Sequence, residues 1–258
     1  MIQLQSLLDN SVKNVLKEQF MSDLRSALHV ENFNLTSIIT KEYFDVLVEV
    51  IRSYMFDVIG IKLNNVKVFG YIMDDELPVL NYLHIKSNKC CGLETAGFYN
   101  KLDKTVYIEI NKQLKCLIPT LFHELMHVYI DENNIIIVDN YPKPTNTICF
   151  DFASKIYLAS QEEGICELAS SLMCLHIFDT NQYPSNVEKY WLGWRLCVQA
   201  FIQFAEIIKK TNNDNLFITK MAFKSTLNML IKHQNIYHFV DKVPKDAYFR
   251  TNGINLGM

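Results

Sequence analysis

The chain has 258 residues, of which 49% are hydrophobic and 21% are charged, and its formal net charge at pH 7 is −3. This length and composition are typical of a folded globular protein, and the weakly acidic balance gives no reason to expect a nucleic acid as partner. The seven cysteines include no C-x-x-C pair, which favours reduced thiols over a disulfide framework or a cysteine zinc site. Neither a basic-then-apolar leader nor an apolar run of about 18 residues is present, so we expect a cytoplasmic protein without a membrane span.

The first 60 residues show the apolar periodicity of amphipathic helices. Apolar residues recur at helical spacing between Leu4 and Phe20, and again between Tyr43 and Tyr54. No residue in this region indicates catalysis. We therefore predict a helical N-terminal region over residues 1–60.

Short β-rich runs replace the helical pattern from about residue 61 onward. The sequence predicts strands over 66–72 and 79–85, each next to turn residues. A hairpin follows, formed by 96–99 and 105–110, and its second strand alternates and is rich in β-branched side chains. These runs predict a small sheet ahead of the next helix.

That helix, which we expect to begin between residues 112 and 118, carries the pattern H-E-x-x-H. Positions i and i+4 of a helix share one face, so His123 and His127 can bind one metal ion, and Glu124 can reach a water molecule on that ion. The competing interpretation is a surface helix with two solvated histidines. The apolar neighbours of the motif argue against it, because a helix that is apolar on nearly every side is buried and buried histidines need partners. These neighbours are Leu121, Phe122, Leu125, Met126 and Val128.

Two histidines leave a catalytic zinc site one protein ligand short. The next predicted helix, over about 160–178, begins with the adjacent acids Glu162 and Glu163, and either can supply the third ligand. Ser160 and Glu163 also fit a helix capping box, which would direct the Glu163 carboxylate to a backbone N–H. Gly164 costs up to about 1 kcal/mol relative to alanine inside a helix. Close approach of the two metal-bearing helices would explain its presence.

H-E-x-x-H followed on a later helix by E-G-x-x-E resembles the gluzincin clan of zinc metallopeptidases. The resemblance implies that Glu163 binds the metal and that Glu167 accepts a hydrogen bond from a ligand histidine, His123. The order of a hairpin, an I-x-I strand, H-E-x-x-H and E-E-G-x-x-E between residues 97 and 173 is similar to the peptidase domain of the plant organ-size regulators that carry LIM modules. It is more loosely similar to the ImmA/IrrE group of minimal peptidases. The 35 residues between His127 and Glu163 exceed the spacing in many gluzincins, and the chain has no cysteine-rich LIM segment.

The resemblance implies an α+β, zincin-like fold in which a small, mainly antiparallel sheet packs on the active-site helix. We divide the chain into a helical N-terminal region (1–60), a metallopeptidase core (61–180) and a helical C-terminal region (181–258) that completes the cleft, all within one compact unit. In the last region the apolar pattern predicts long amphipathic helices over 186–211 and 216–234.

The expected function is zinc-dependent hydrolysis of peptide bonds. His123, His127 and Glu163 would hold Zn²⁺ with a water molecule in the fourth position, and Glu124 would act as general base. The predicted partner is a protein or peptide substrate that lies extended along an edge strand, and the strand over 105–110 belongs to that sheet. Neither a nucleic acid nor a membrane is expected as partner.

Such a reaction also needs a hydrogen-bond donor for the oxyanion. The candidates are Tyr190 and His233, and the same part of the chain contains Tyr237 and His238. Two other interpretations stay open. One is a catalytically silent relative that keeps the fold to bind a partner, and the other is a non-enzymatic helical interaction protein with an accidental motif.

Overall fold

The computed structural model describes residues 10–28, 34–64, 66–72, 97–137, 161–177 and 191–233. Six helices lie in these residues: α1 (Asn10–Leu28), α2 (Lys41–Ile59), α3 (Leu114–Glu132), α4 (Gln161–Ile177), α5 (Trp191–Lys209) and α6 (Asn215–His233). Three strands lie in the same residues: β1 (Lys67–Tyr71), β2 (Gly97–Asn100) and β3 (Thr105–Glu109). The predicted α+β class is confirmed, and helices make up most of the described fold.

Most predicted elements are present, with their ends shifted by a few residues. The helices predicted over 160–178, 186–211 and 216–234 correspond to α4, α5 and α6. The strand predicted over 79–85 lies outside the described residues. Buried side chains from all six described helices and from β3 form one continuous hydrophobic core. Within the described ranges, no helix is both long enough and apolar enough to cross a bilayer.

The sheet has the strand order β1-β3-β2, so β3 is the central strand and β2 is an edge of the sheet as described. β3 pairs with β2 in antiparallel and with β1 in parallel orientation. The expectation of a mainly antiparallel sheet is therefore wrong for one of these two pairs. The long stretch of chain between β1 and β3 gives room for the crossover that parallel neighbours require. Val106 and Ile108 of β3 are buried, while the alternate residues are half-buried, as the period of two predicts.

The loop before α2 holds the first turn of α3. The backbone N–H groups of Leu114 and Lys115 donate to the carbonyls of Ser37 and Leu35 at 3.0 and 2.9 Å, so these helix-terminal donors have partners. Pro119 is the sixth residue of α3 and removes one backbone hydrogen bond, the one to the exposed Lys115. The helix predicted to begin between residues 112 and 118 thus begins at Leu114, ahead of the proline.

α4 contacts α3 on one side and α5 on another. Trp194 Nε1 of α5 donates to Ser171 Oγ of α4 at 3.0 Å. Gly164 lies directly against Gly193, since a Cβ added at Gly164 would stand 2.3 Å from the carbonyl carbon of Gly193. The prediction that Gly164 allows the two metal-bearing helices to approach each other is therefore wrong. This glycine allows the close approach of α4 to α5 instead.

Candidate metal centre

Three side chains from α3 and α4 converge on one point. His123 Nε2 lies 3.0 Å from Glu163 Oε2. His127 Nε2 lies 3.3 Å from His123 Nε2 and 3.5 Å from the same Glu163 oxygen. Each residue turns one ligand atom toward the other two, so the group could hold a metal ion.

The three distances match the spacing of ligands around one tetrahedral ion. Bonds of about 2.0–2.1 Å from zinc to nitrogen and carboxylate oxygen, in tetrahedral geometry, separate the ligand atoms by roughly 3.3–3.4 Å. The observed separations of 3.0, 3.3 and 3.5 Å bracket that value. The triangle therefore has the size of three corners of a coordination tetrahedron.

The antiparallel packing of α4 on α3 brings the ligand atoms together. Ser170 Oγ donates to the carbonyl of Pro119 at 3.0 Å. One turn earlier in α4, Glu167 contacts His123 at Nδ1. One further turn earlier, Glu163 contacts the same histidine at Nε2. The i, i+4 spacing on both helices places these residues on facing sides, as a helix period of 3.6 residues requires.

Each imidazole has a carboxylate on its outer nitrogen. His123 Nδ1 lies 2.9 Å from Glu167 Oε2, and His127 Nδ1 lies 3.0 Å from Glu162 Oε1. A neutral imidazole that donates from Nδ1 to such a carboxylate presents a lone pair at Nε2. In that tautomer the two Nε2 lone pairs and the Glu163 oxygen would be available to one cation. A carboxylate on the outer nitrogen is the usual arrangement of metal-binding histidines.

The electrostatics of the site favour positive charge. Burial lowers the pKa of His123, but hydrogen bonds to Glu163 and Glu167 outweigh it and hold this pKa well above the ordinary histidine value. Burial also lowers the pKa of His127, but Cys166 and Glu163 outweigh burial and hold this pKa well above the ordinary histidine value as well. Burial raises the pKa of Glu163, yet the two histidines hold it well below the usual carboxyl range. A proton or a metal ion would therefore be stabilised between these residues.

Glu124 is buried in α3 and faces the edge strand β2. Burial raises the pKa of its carboxyl group, although the neighbouring His123 and His127 and a hydrogen bond from the backbone N–H of Tyr99 act in the opposite direction. The Tyr99 hydroxyl donates to Asp131 Oδ2 at 2.8 Å. Two hydrogen bonds from one residue thus hold β2 against the stretch of α3 that carries the motif.

The structure places the two adjacent acids of α4 differently. Glu163 faces the Nε2 atoms of both histidines, whereas Glu162 faces the outer nitrogen of His127. Consecutive helix residues point about 100° apart, so both acids can reach the same imidazole pair from different sides. Ser160, which would complete a capping box, lies outside the described residues, as does Tyr190. The side chain of His233, at the end of α6, also lies outside them.

Sequence reasoning missed two contacts of this site. The contact of Glu162 with His127 had a signal, because the pair of adjacent acids offers two carboxylates to two histidines. The contact of the Tyr99 N–H with Glu124 had no local signal, because it depends on how β2 packs against α3. Comparisons with models of known protein families, with curated protein sequences and with solved structures found no match.

Proposed function

We propose that this chain is a zinc-dependent peptidase that hydrolyses peptide bonds of a protein or peptide substrate. One observation carries the proposal: the His123, His127 and Glu163 ligand atoms form a triangle of tetrahedral size, with Glu124 buried on the same helix as the two histidines. The similarity of H-E-x-x-H and E-G-x-x-E to the gluzincin pattern supports the same reading.

Zinc is the ion that this donor set favours. Two imidazole nitrogens and one carboxylate oxygen are a ligand set of catalytic zinc, which keeps a fourth position open. Two histidines and one carboxylate can also bind non-haem iron, and identification of the bound metal separates the two. When bound, zinc supplies a Lewis acid that lowers the pKa of a water ligand to about 7 and polarises the scissile carbonyl.

Glu124 is the proposed general base. Its carboxylate accepts a proton from the attacking water and returns that proton to the leaving amine. The raised pKa of Glu124 suits the first step, because a carboxylate whose pKa lies nearer neutrality is a stronger base than an ordinary one. The N–H of Tyr99 holds the Glu124 side chain in position through this exchange.

β2 is the proposed docking strand for substrate. An extended peptide gains backbone hydrogen bonds when it adds to a sheet edge, and β2 forms an edge of the described sheet beside Glu124. Tyr190 and His233 remain the proposed donors to the oxyanion. The substitutions Tyr190→Phe and His233→Gln test each of them through kcat.

Two measurements test the function. Inductively coupled plasma mass spectrometry of the purified protein should find about one zinc per chain. Purified protein without bound metal would contradict the proposed metal site. Glu124→Gln should keep the zinc and the fold but lose about 10²–10⁴-fold in cleavage of fluorescein-labelled casein and of a quenched peptide library. Glu206→Gln, which neutralises an exposed acid on α5, is the matched control and should cleave like the original protein. Zinc binding without any cleavage by the original protein would favour a silent, partner-binding relative.

A further inference from the structure

Glu162 joins the candidate metal centre to the hairpin turn. Its Oε1 oxygen lies 3.0 Å from His127 Nδ1 and accepts a hydrogen bond from Lys101 Nζ at 3.2 Å. Lys101 is the first residue after β2, in the turn that leads to β3. One carboxylate oxygen is therefore shared between a histidine of the metal site and the tip of the hairpin.

The two carboxylates on the outer nitrogens have different surroundings. The Glu167 side chain is 1% exposed, and its Oε1 oxygen has no hydrogen-bond partner among the described residues. The Glu162 side chain is 22% exposed and has Lys101 as a cationic neighbour. His123 is thus held from inside the α3–α4 interface, whereas His127 is held from the side that borders solvent and the hairpin.

Two simpler roles for Glu162 fit the contacts less well. A plain surface ion pair with Lys101 would not need a hydrogen bond to a buried imidazole. A direct metal ligand would need an oxygen near the Nε2 atoms, where Glu163 already lies. The thiol of Cys166 also hydrogen-bonds to His127. A thiol is a weak donor and acceptor, so the carboxylate is the stronger partner of this ring.

We propose that Glu162 is a positioning residue of the metal centre, which holds His127 through Nδ1 in the orientation and tautomer that metal binding needs. The inference rests on the metal-binding part of the proposed function and is independent of peptide cleavage. The outer hydrogen bond fixes the ring and makes Nε2 a better donor to the metal. Loss of such a bond costs about 10–100-fold in metal affinity.

Metal titration with Zn²⁺ against a competing chelator tests this proposal. Glu162→Gln keeps an oxygen acceptor but loses the charge, so its Zn²⁺ dissociation constant should rise about tenfold, and that of Glu162→Ala should rise toward 100-fold. Glu206→Gln carries the same change of charge on an exposed part of α5 and should bind Zn²⁺ as the original protein does. Far-ultraviolet circular dichroism and thermal unfolding of each variant establish that it folds.

Proton NMR of the Co²⁺-substituted protein supplies a readout that a merely structural role would not move. Each Nδ1–H of a Co²⁺-bound histidine gives a strongly shifted, exchangeable resonance, so two are expected. In Glu162→Ala the His127 resonance should broaden through faster exchange with water, while the His123 resonance, protected by the buried Glu167, stays sharp. An unchanged pair of resonances together with unchanged Zn²⁺ affinity would overturn the proposal.

The outcomes also separate this inference from the proposed function. If Glu162→Gln lost Zn²⁺ as completely as Glu163→Gln and altered the visible Co²⁺ spectrum in the same way, Glu162 would be a ligand and the positioning role would be wrong. If the original protein bound Zn²⁺ but cleaved nothing, the proposed activity would fail while the affinity series still decided the role of Glu162. An original protein that bound neither ion would overturn both.

Discussion

The contact between Gly164 and Gly193 allows the sharpest test of the fold around the site. A Cβ at Gly164 would stand 2.3 Å from the carbonyl carbon and 2.5 Å from the carbonyl oxygen of Gly193, whereas ordinary contact begins at 3.4 Å. In Gly164→Ala the two helices must therefore separate by about 1 Å, because backbone on both sides leaves no side chain that can rotate away.

The expected change in the free energy of unfolding of Gly164→Ala is the difference between two opposing effects. Overpacking of a tight contact costs about 1–3 kcal/mol or more, and a contact of backbone with backbone belongs at the upper end of that range. Replacement of glycine by alanine inside a helix returns up to about 1 kcal/mol. We expect Gly164→Ala to lower the free energy of unfolding by about 2 kcal/mol, which corresponds to roughly 4–8 °C in Tm for a chain of this size.

Urea unfolding and differential scanning calorimetry measure this change. The difference between Ser22→Ala and Ser22→Gly, at an exposed position of α1, gives the helix preference alone and serves as the control. Since α4 also carries Glu163, a shift of this helix should weaken Zn²⁺ binding in the same variant. A Gly164→Ala protein that is more stable than the original by about 1 kcal/mol, as helix preference alone predicts, would refute the close contact of α4 with α5.

Three further predictions follow from the site. Removal of the metal with a chelator should lower Tm, because an ion present at about 100 times its dissociation constant stabilises the folded state by about 2.7 kcal/mol; calorimetry with and without added Zn²⁺ measures the difference. The raised pKa values of His123 and His127 stabilise the metal-free fold fully below about pH 6.5 and less as pH rises through those pKa values, whereas the depressed pKa of Glu163 removes stability as pH falls below about 4.5. Urea unfolding of metal-free protein should therefore find the highest free energy of unfolding between these two pH values. The Zn²⁺ affinity should rise with pH. Tyr99→Phe loses the hydrogen bond to Asp131 and should cost about 1 kcal/mol of stability without a change in Zn²⁺ affinity, and a loss of affinity as large as that of Glu162→Ala would contradict the separate roles of β2 and α4.

Local patterns in the sequence were enough to predict the elements that carry the site. The apolar run around His123 and His127 predicted a buried helix, and α3 is one, because the 3.6-residue period acts within a single segment. The alternation over 105–110 predicted a strand, and β3 is one, because the period of two also acts within a single segment. The i, i+4 spacing of Glu163 and Glu167 likewise placed both carboxylates on one face of α4 before any packing was known.

Packing between segments decided what those local patterns left open. The sequence pattern favoured Glu163 as the third ligand but left its neighbour Glu162 open. The antiparallel contact of α4 with α3 places Glu163 at the Nε2 atoms and Glu162 at the outer nitrogen of His127. Packing between segments also places Gly164 against α5 and pairs β3 in parallel with β1. These outcomes depend on distances between residues far apart along the chain, and a local hydrophobic period contains no information about which segment will face it. The sequence alone therefore predicted a metal-binding helix, while the tertiary structure determined which carboxylates surround it.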